Sequence, residues 1–180
     1  MNSFLKDFKN LVKLRLTFLV VFSASISFLI GTDGDIHWIN WIKLIIGGFL
    51  VTSAANGFNE IIEKDLDKLM ARTADRPLPS GRMNNGQALV LSLLMGISGT
   101  YLLGSLNLLT GILSVFSILF YAFIYTPLKQ KSPIAVFMGA IPGALPPLIG
   151  YVAAHGKIDE IALILFGIQF VWQFPHFWAI

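Results

Sequence analysis

Cysteine is absent from these 180 residues. That excludes disulfides, thiolate metal sites and covalent c-type heme attachment. Charge is scarce: 13% of residues are charged, against about 25% in an average soluble domain. The long apolar segments have no polar outer face, which argues against a soluble bundle of buried helices. What remains is mostly hydrocarbon, with 55% hydrophobic residues and a mean hydropathy of +0.72.

The apolar residues fall into six runs: Phe18 to Ile30, Leu44 to Ala55, Ala88 to Leu106, Leu108 to Tyr125, Ile134 to Ala154 and Ile161 to Phe174. A bilayer core about 30 Å thick needs about 20 apolar residues in a helix. With flanking residues added, the runs predict an all-α, polytopic transmembrane bundle of about six spans. The N-terminus lacks a small-residue cleavage site followed by a mature domain, so the first run is read as a span and not as a signal peptide. Residues 1–180 read as a single transmembrane domain without linker or low-complexity tract. The last residues, Gln169 to Ile180, still read as helix interior, so the chain is expected to be C-terminally truncated.

Orientation follows from the bases. Eleven of the 13 lysines and arginines fall at the N-terminus and in the loops near 63–86 and 127–132, on one side of the predicted spans. Only Lys43 and Lys157 fall on the other. The expectation is an integral, multi-pass protein of the bacterial inner or plasma membrane, with its N-terminus and charged loop 63–86 in the cytoplasm. These bases hug membrane spans and sit among acids, so nucleic acid is not an expected partner.

The charge is concentrated between Asn56 and Met83, which hold five acids and five bases. At helical spacing Asn59, Glu63 and Asp67 share a face, with Glu60 beside them. Lys64, Lys68, Arg72 and Arg76 form a second row for as long as the helix lasts. Like charges at i, i+4 cost a helix a few tenths of a kcal/mol, so rows sorted by sign point to a ligand with both signs. Magnesium takes oxygen ligands and commonly joins one or two carboxylates to phosphates and water. Arginine holds phosphate bidentately and lysine as a point charge. A magnesium diphosphate satisfies both rows, and at a membrane surface it belongs on a lipid-like chain.

Weaker candidates surround this motif. Lys13 and Arg15 open the first span and read equally as ligands or anchors. Tyr125 and Lys129 close the fourth, where Lys129 can reach a diphosphate or simply anchor the helix. Pro142, Pro146 and Pro147, with Gly139, Gly143 and Gly150, make the fifth span irregular, either for packing or to line a cavity. His176 lies in an apolar segment, where an ionisable group is a functional candidate, or else an interfacial side chain.

The segment Asn59-Glu-Ile-Ile-Glu63-Lys-Asp-Leu-Asp67 resembles the first aspartate-rich motif of the UbiA superfamily of intramembrane prenyltransferases, and Tyr125-x-x-x-Lys129 matches a second element of it. Three further segments resemble one branch, the protoheme IX farnesyltransferases. These are Asp67 through Arg72-Thr-Ala-Asp-Arg76-Pro-Leu-Pro-Ser-Gly81, Gly139 through Tyr151, and Trp172-Gln-Phe-Pro-His176-Phe-Trp178. The resemblance implies the N-terminal part of a nine-helix fold, in which Asn59, Glu63 and Asp67 bind magnesium diphosphate. Arg72, Arg76 and Lys129 would be phosphate-side bases, and Lys13, Arg15, Lys64 and Tyr125 substrate contacts. His176 would face the heme pocket. The implied reaction is farnesyl transfer from farnesyl diphosphate to a vinyl group of protoheme IX, giving heme O, with a heme A synthase as candidate partner. Family members carry a second acidic motif and three more spans beyond the length of this chain. Three rivals stay open: prenyl transfer to an aromatic or quinone precursor, a transporter, and a non-catalytic assembly protein. The Arg-Thr-x-x-Arg-Pro-Leu-Pro run leans against the first. Acids at a helix end rather than at the membrane midplane lean against the second.

Overall fold

The computed structural model describes residues 3–32 and 34–179; Met1, Asn2, Asp33 of the first outer turn and Ile180 lie outside them. Among the described residues every regular element is a helix: α1 (Ser3–Leu11), α2 (Leu14–Ile30), α3 (Trp38–Asp67), α4 (Asn85–Gly104), α5 (Leu108–Leu119), a π-helical turn (Phe120–Tyr125), α6 (Thr126–Leu128), α7 (Ala135–His155) and α8 (Glu160–Trp178). Among them α3, α4, the continuous stretch Leu108–Leu128 and α7 are long and apolar enough to cross a bilayer. A fifth crossing is added if α1 and α2, bent by 47°, count as one broken span. The sixth apolar run is helical as well; it forms α8, which packs on α7 and falls outside that count. The chain is an integral, multi-pass membrane protein.

Without a hydrophobic force between helices in lipid, close packing has to come from small residues. Gly99 of α4 faces Gly47 of α3, and a Cβ on Gly99 would lie 2.9 Å from the Gly47 carbonyl oxygen. A Cβ on Gly150 of α7 would overlap the Ala24 carbonyl of α2. These contacts bring α3 to α4 and α2 to α7 at backbone distance.

The proline-rich α7 stays helical from Ala135 to His155. Pro147 has no N–H for the carbonyl of Gly143, its i−4 partner. Gln173 of α8 supplies the donor instead, Nε2 to Gly143 O at 3.2 Å. In lipid such an orphan carbonyl costs several kcal/mol unless another group satisfies it. Pro142 and Pro147 are buried.

Two irregularities position the site. Between α1 and α2, Lys13 has φ 48°, the one positive φ outside glycine among the described residues. The break exposes the Val12 carbonyl, which accepts from Thr17 Oγ1 at 2.6 Å and from Asn56 Nδ2 at 3.2 Å. The π turn before Thr126 is the second, and such turns recur at functional sites. Finally, α3 has 30 residues, about 45 Å at 1.5 Å per residue. That exceeds the hydrocarbon core by about 15 Å.

Candidate diphosphate and metal site

Asn59, Glu63 and Asp67 do share one face at the end of α3, and all are nearly inaccessible at 1%, 6% and 1% exposure. Buried polar groups need partners, and each of these three takes one from another element. Asn59 is the hub. Its Oδ1 accepts from Lys13 Nζ at 2.8 Å; its Nδ2 donates to Glu63 Oε2 at 2.9 Å and to Thr126 Oγ1 at 3.0 Å. Lys129 Nζ sits 2.7 Å from Glu63 Oε1 and 2.8 Å from Oε2. Arg76 Nη1 lies 2.6 Å from Asp67 Oδ2. The helical cost of like charges at Glu63 and Asp67 is offset by tertiary pairing with Lys129 and Arg76.

The predicted basic row is corrected by the structure. The α-helix ends at Asp67, so Lys68, Arg72 and Arg76 do not continue a helical face. A turn-rich loop folds back instead, held by Thr73 Oγ1 donating to the Asp67 carbonyl at 2.8 Å. Arg76 thereby returns to the acids, whereas Lys64 turns to Asn85 of α4 at 3.2 Å and Lys68 makes an exposed contact with Asp65 at 3.9 Å. A small core of Leu11, Leu78, Met83 and Ala88 anchors the loop. Arg82 ties it to α1, with Nε 2.8 Å from Asp7 Oδ1 and Nη1 2.8 Å from Asp75 Oδ1. The Arg82 guanidinium holds the exposed Asp75 carboxyl below its ordinary value.

Glu60 leaves the acid face. It is fully buried, and one carboxylate oxygen accepts from Leu78 N at 3.2 Å while the other has no partner among the described residues. It holds the loop, not the shared face.

A cleft of about 750 Å³ opens beside the cluster, lined by Lys9, Asn10, Lys13, Arg15, Arg72 and Arg76, with Asp75 and three leucines. Five cations against one acid make it a place for an anion, and Leu14, Leu16 and Leu19 of α2 give it an apolar side. Tyr125 lies half-buried against Tyr121 (5.5 Å between ring centroids), with Lys129 5.8 Å from its ring centre. His176 is exposed on α8, stacked on Trp172 at 5.0 Å, and lines neither the cluster nor this cleft.

Sequence reasoning missed Thr126, Asn56, Thr17, Lys9 and Asn10. Thr126 stands unnamed inside the Tyr125-x-x-x-Lys129 element. Asn56 lies one turn before Asn59, so an inward polar stripe extending that face was the available signal.

The donor set can be tested against a cation. Asn59, Glu63 and Asp67 offer only oxygens, as magnesium prefers. Among the described residues no three His, Cys, Asp or Glu gather into a complete cage. That fits an ion shared between one or two carboxylates and a phosphate ligand better than an all-protein site.

A sequence model of the UbiA prenyltransferase family matches residues 20–180. The protoheme IX farnesyltransferase of Cytophaga hutchinsonii is 49% identical over 181 residues, covering 100% of this chain and 63% of that relative. The protoheme IX farnesyltransferase of Christiangramia forsetii is 46% identical, covering 99% and 59%. The chain thus spans about three fifths of the length of these curated relatives. Among solved structures, one from work on digeranylgeranylglyceryl phosphate synthase in membranes has a TM-score of 0.84 at 24% identity, covering 94% of this chain and 59% of that one. A UbiA homologue from Archaeoglobus fulgidus bound to DMAPP and Mg2+ has a TM-score of 0.79 at 12% identity, covering 94% and 62%. At these identities the structures speak for the fold alone. The match over residues 20–180 is decisive: the chain belongs to the UbiA prenyltransferase family.

Proposed function

We propose that this chain carries the diphosphate-binding half of an enzyme that transfers a farnesyl group from farnesyl diphosphate to a vinyl group of protoheme IX, giving heme O. The observation that carries the reading is the pairing of two buried carboxylates with bases from elsewhere, Glu63 with Lys129 and Asp67 with Arg76. Acids and bases already in contact can exchange partners when a magnesium diphosphate arrives. The carboxylates would hold the cation and the bases the phosphate oxygens. The relatives' names support the acceptor, and the Archaeoglobus homologue bound to DMAPP and Mg2+ supports the donor class.

Asn59, Glu63 and Asp67 would hold magnesium, which supplies Lewis-acid stabilisation of charge on the departing diphosphate. Arg72, Arg76, Lys13, Arg15 and Lys129 add fixed positive charge where negative charge develops, so they stabilise the transition state more than the bound substrate. Lys64 stands apart at Asn85 and is left out of this set. In the reaction the farnesyl C1–O bond breaks and its electron pair leaves with the diphosphate. The vinyl carbon bonds to C1, and water adds at the resulting cation with loss of a proton to give the hydroxyl. The charged loop faces the cytoplasm in this reading, and His176 would face the acceptor from α8. A heme A synthase is the natural consumer of the product.

The test is heme extraction from membranes of cells lacking their own heme O synthase but expressing the full reading frame that contains this chain. Heme O identified by chromatography and mass is the expected result. Its absence, with the protein present in the membrane, overturns the reading in favour of an aromatic or quinone acceptor.

A further inference from the structure

A second cleft, of about 390 Å³, opens where α6 turns into α7, lined by Tyr125, Lys129, Gln130, Lys131, Ser132, Pro133, Ala135 and Val136. Its lining contains no acid. Lys129 forms the wall shared with the ion cluster, and its ammonium is committed to Glu63. Lys131 is different. It is exposed and forms no ion pair among the described residues. Ser132 Oγ accepts from Ile134 N at 3.3 Å, which leaves the hydroxyl hydrogen available to a ligand. Gln130 adds an exposed amide. These three consecutive side chains can all present donors to the mouth of the cleft, while Tyr125, Pro133, Ala135 and Val136 line it with apolar surface.

A cleft that combines hydrogen-bond donors with apolar side chains suits a flat apolar molecule that ends in carboxylates. We infer that this cleft seats the carboxylate edge of the prenyl acceptor, with Lys131, Gln130 and Ser132 binding its carboxylates and Tyr125 and Val136 lying against the ring. The inference rests on the proposed protoheme acceptor, whose propionates lie at the edge opposite its vinyl groups. It also separates the two substrates: the diphosphate takes the cleft of Lys13 and Arg76, the acceptor that of Lys131, and Lys129 stands between them. An anionic lipid headgroup offers the same charge, so the test has to tell the two apart.

The experiment is a fluorescence titration of the full-length protein in detergent with zinc protoporphyrin IX and with its dimethyl ester, with and without phosphatidylglycerol in the micelle. Lys131→Ala is expected to weaken binding of the diacid roughly fivefold, as an exposed charge pair allows, and to leave the ester unchanged. The KM for farnesyl diphosphate should not move. Equal weakening of diacid and ester overturns the inference, and so does loss of the diacid preference when phosphatidylglycerol is added, which assigns the cleft to lipid. Failure of the unsubstituted protein to bind either porphyrin overturns the heme reading itself.

Discussion

Lys129 reaches Glu63 at 2.7 Å across 66 residues of chain, and Glu63 is almost wholly buried. Removing the cation leaves a carboxylate with Asn59 as its remaining hydrogen-bond partner among the described residues. Lys129→Met should therefore lower stability by about 1–3 kcal/mol, the cost of an unsatisfied buried group. Adding Glu63→Gln should recover part of that loss. Thermal unfolding in detergent of the two single variants and the double variant measures the coupling. Simple additivity would show that the pair is not a unit.

Asp67 serves the ligand in the proposed function. Asp67→Asn should lower prenyl transfer by roughly 100-fold or more, the scale seen when a group stabilising transition-state charge is lost. Protein level in the membrane should be unchanged. Stripping magnesium with a chelator should abolish the remaining activity. A non-catalytic assembly role predicts the opposite: the Asp67→Asn variant would complement as well as the parent.

Pro147 and Gln173 form a compensating pair. Gln173→Leu leaves the Gly143 carbonyl without its donor and should cost about 1–3 kcal/mol. In a Pro147→Ala background the helix regains its own N–H donor, so the same change should cost less. A double-mutant cycle in unfolding free energy reads the difference. Equal costs in both backgrounds would remove the account given for this proline.

Glycine positions should differ sharply along the bundle. Gly150→Ala places a methyl group on the Ala24 carbonyl, between two backbones that cannot yield cheaply. It should destabilise by about 1–3 kcal/mol or more. Gly48→Ala meets nothing closer than Val21 Cγ2 at 3.8 Å and should be neutral or slightly stabilising, because alanine favours helix. Detergent melting temperatures of the two variants decide it.

The all-helical membrane fold was legible in the chain because hydrocarbon runs of this length have few alternatives in lipid. The acid face was legible too, since Asn59, Glu63 and Asp67 lie on one helix and 3.6-residue periodicity is a local property. The basic half was not. Its predicted row assumed a helix running past Asp67, but the chain leaves the helix there. Which bases return to the acids depends on long-range anchors: Leu78 against Leu11, and Arg82 against Asp7. No spacing rule could separate Arg76, which comes back, from Lys64, which goes to Asn85. The Lys13 break and the π turn at Thr126 were hidden for the same reason. Each is a local deviation held by partners far along the chain, Asn56 for Val12 and Asn59 for Thr126. Composition and periodicity thus determined what crosses the membrane and which acids share a face. Only packing between distant segments decided which cations meet them, because a side chain's partner is set by where the backbone returns and not by its neighbours in sequence.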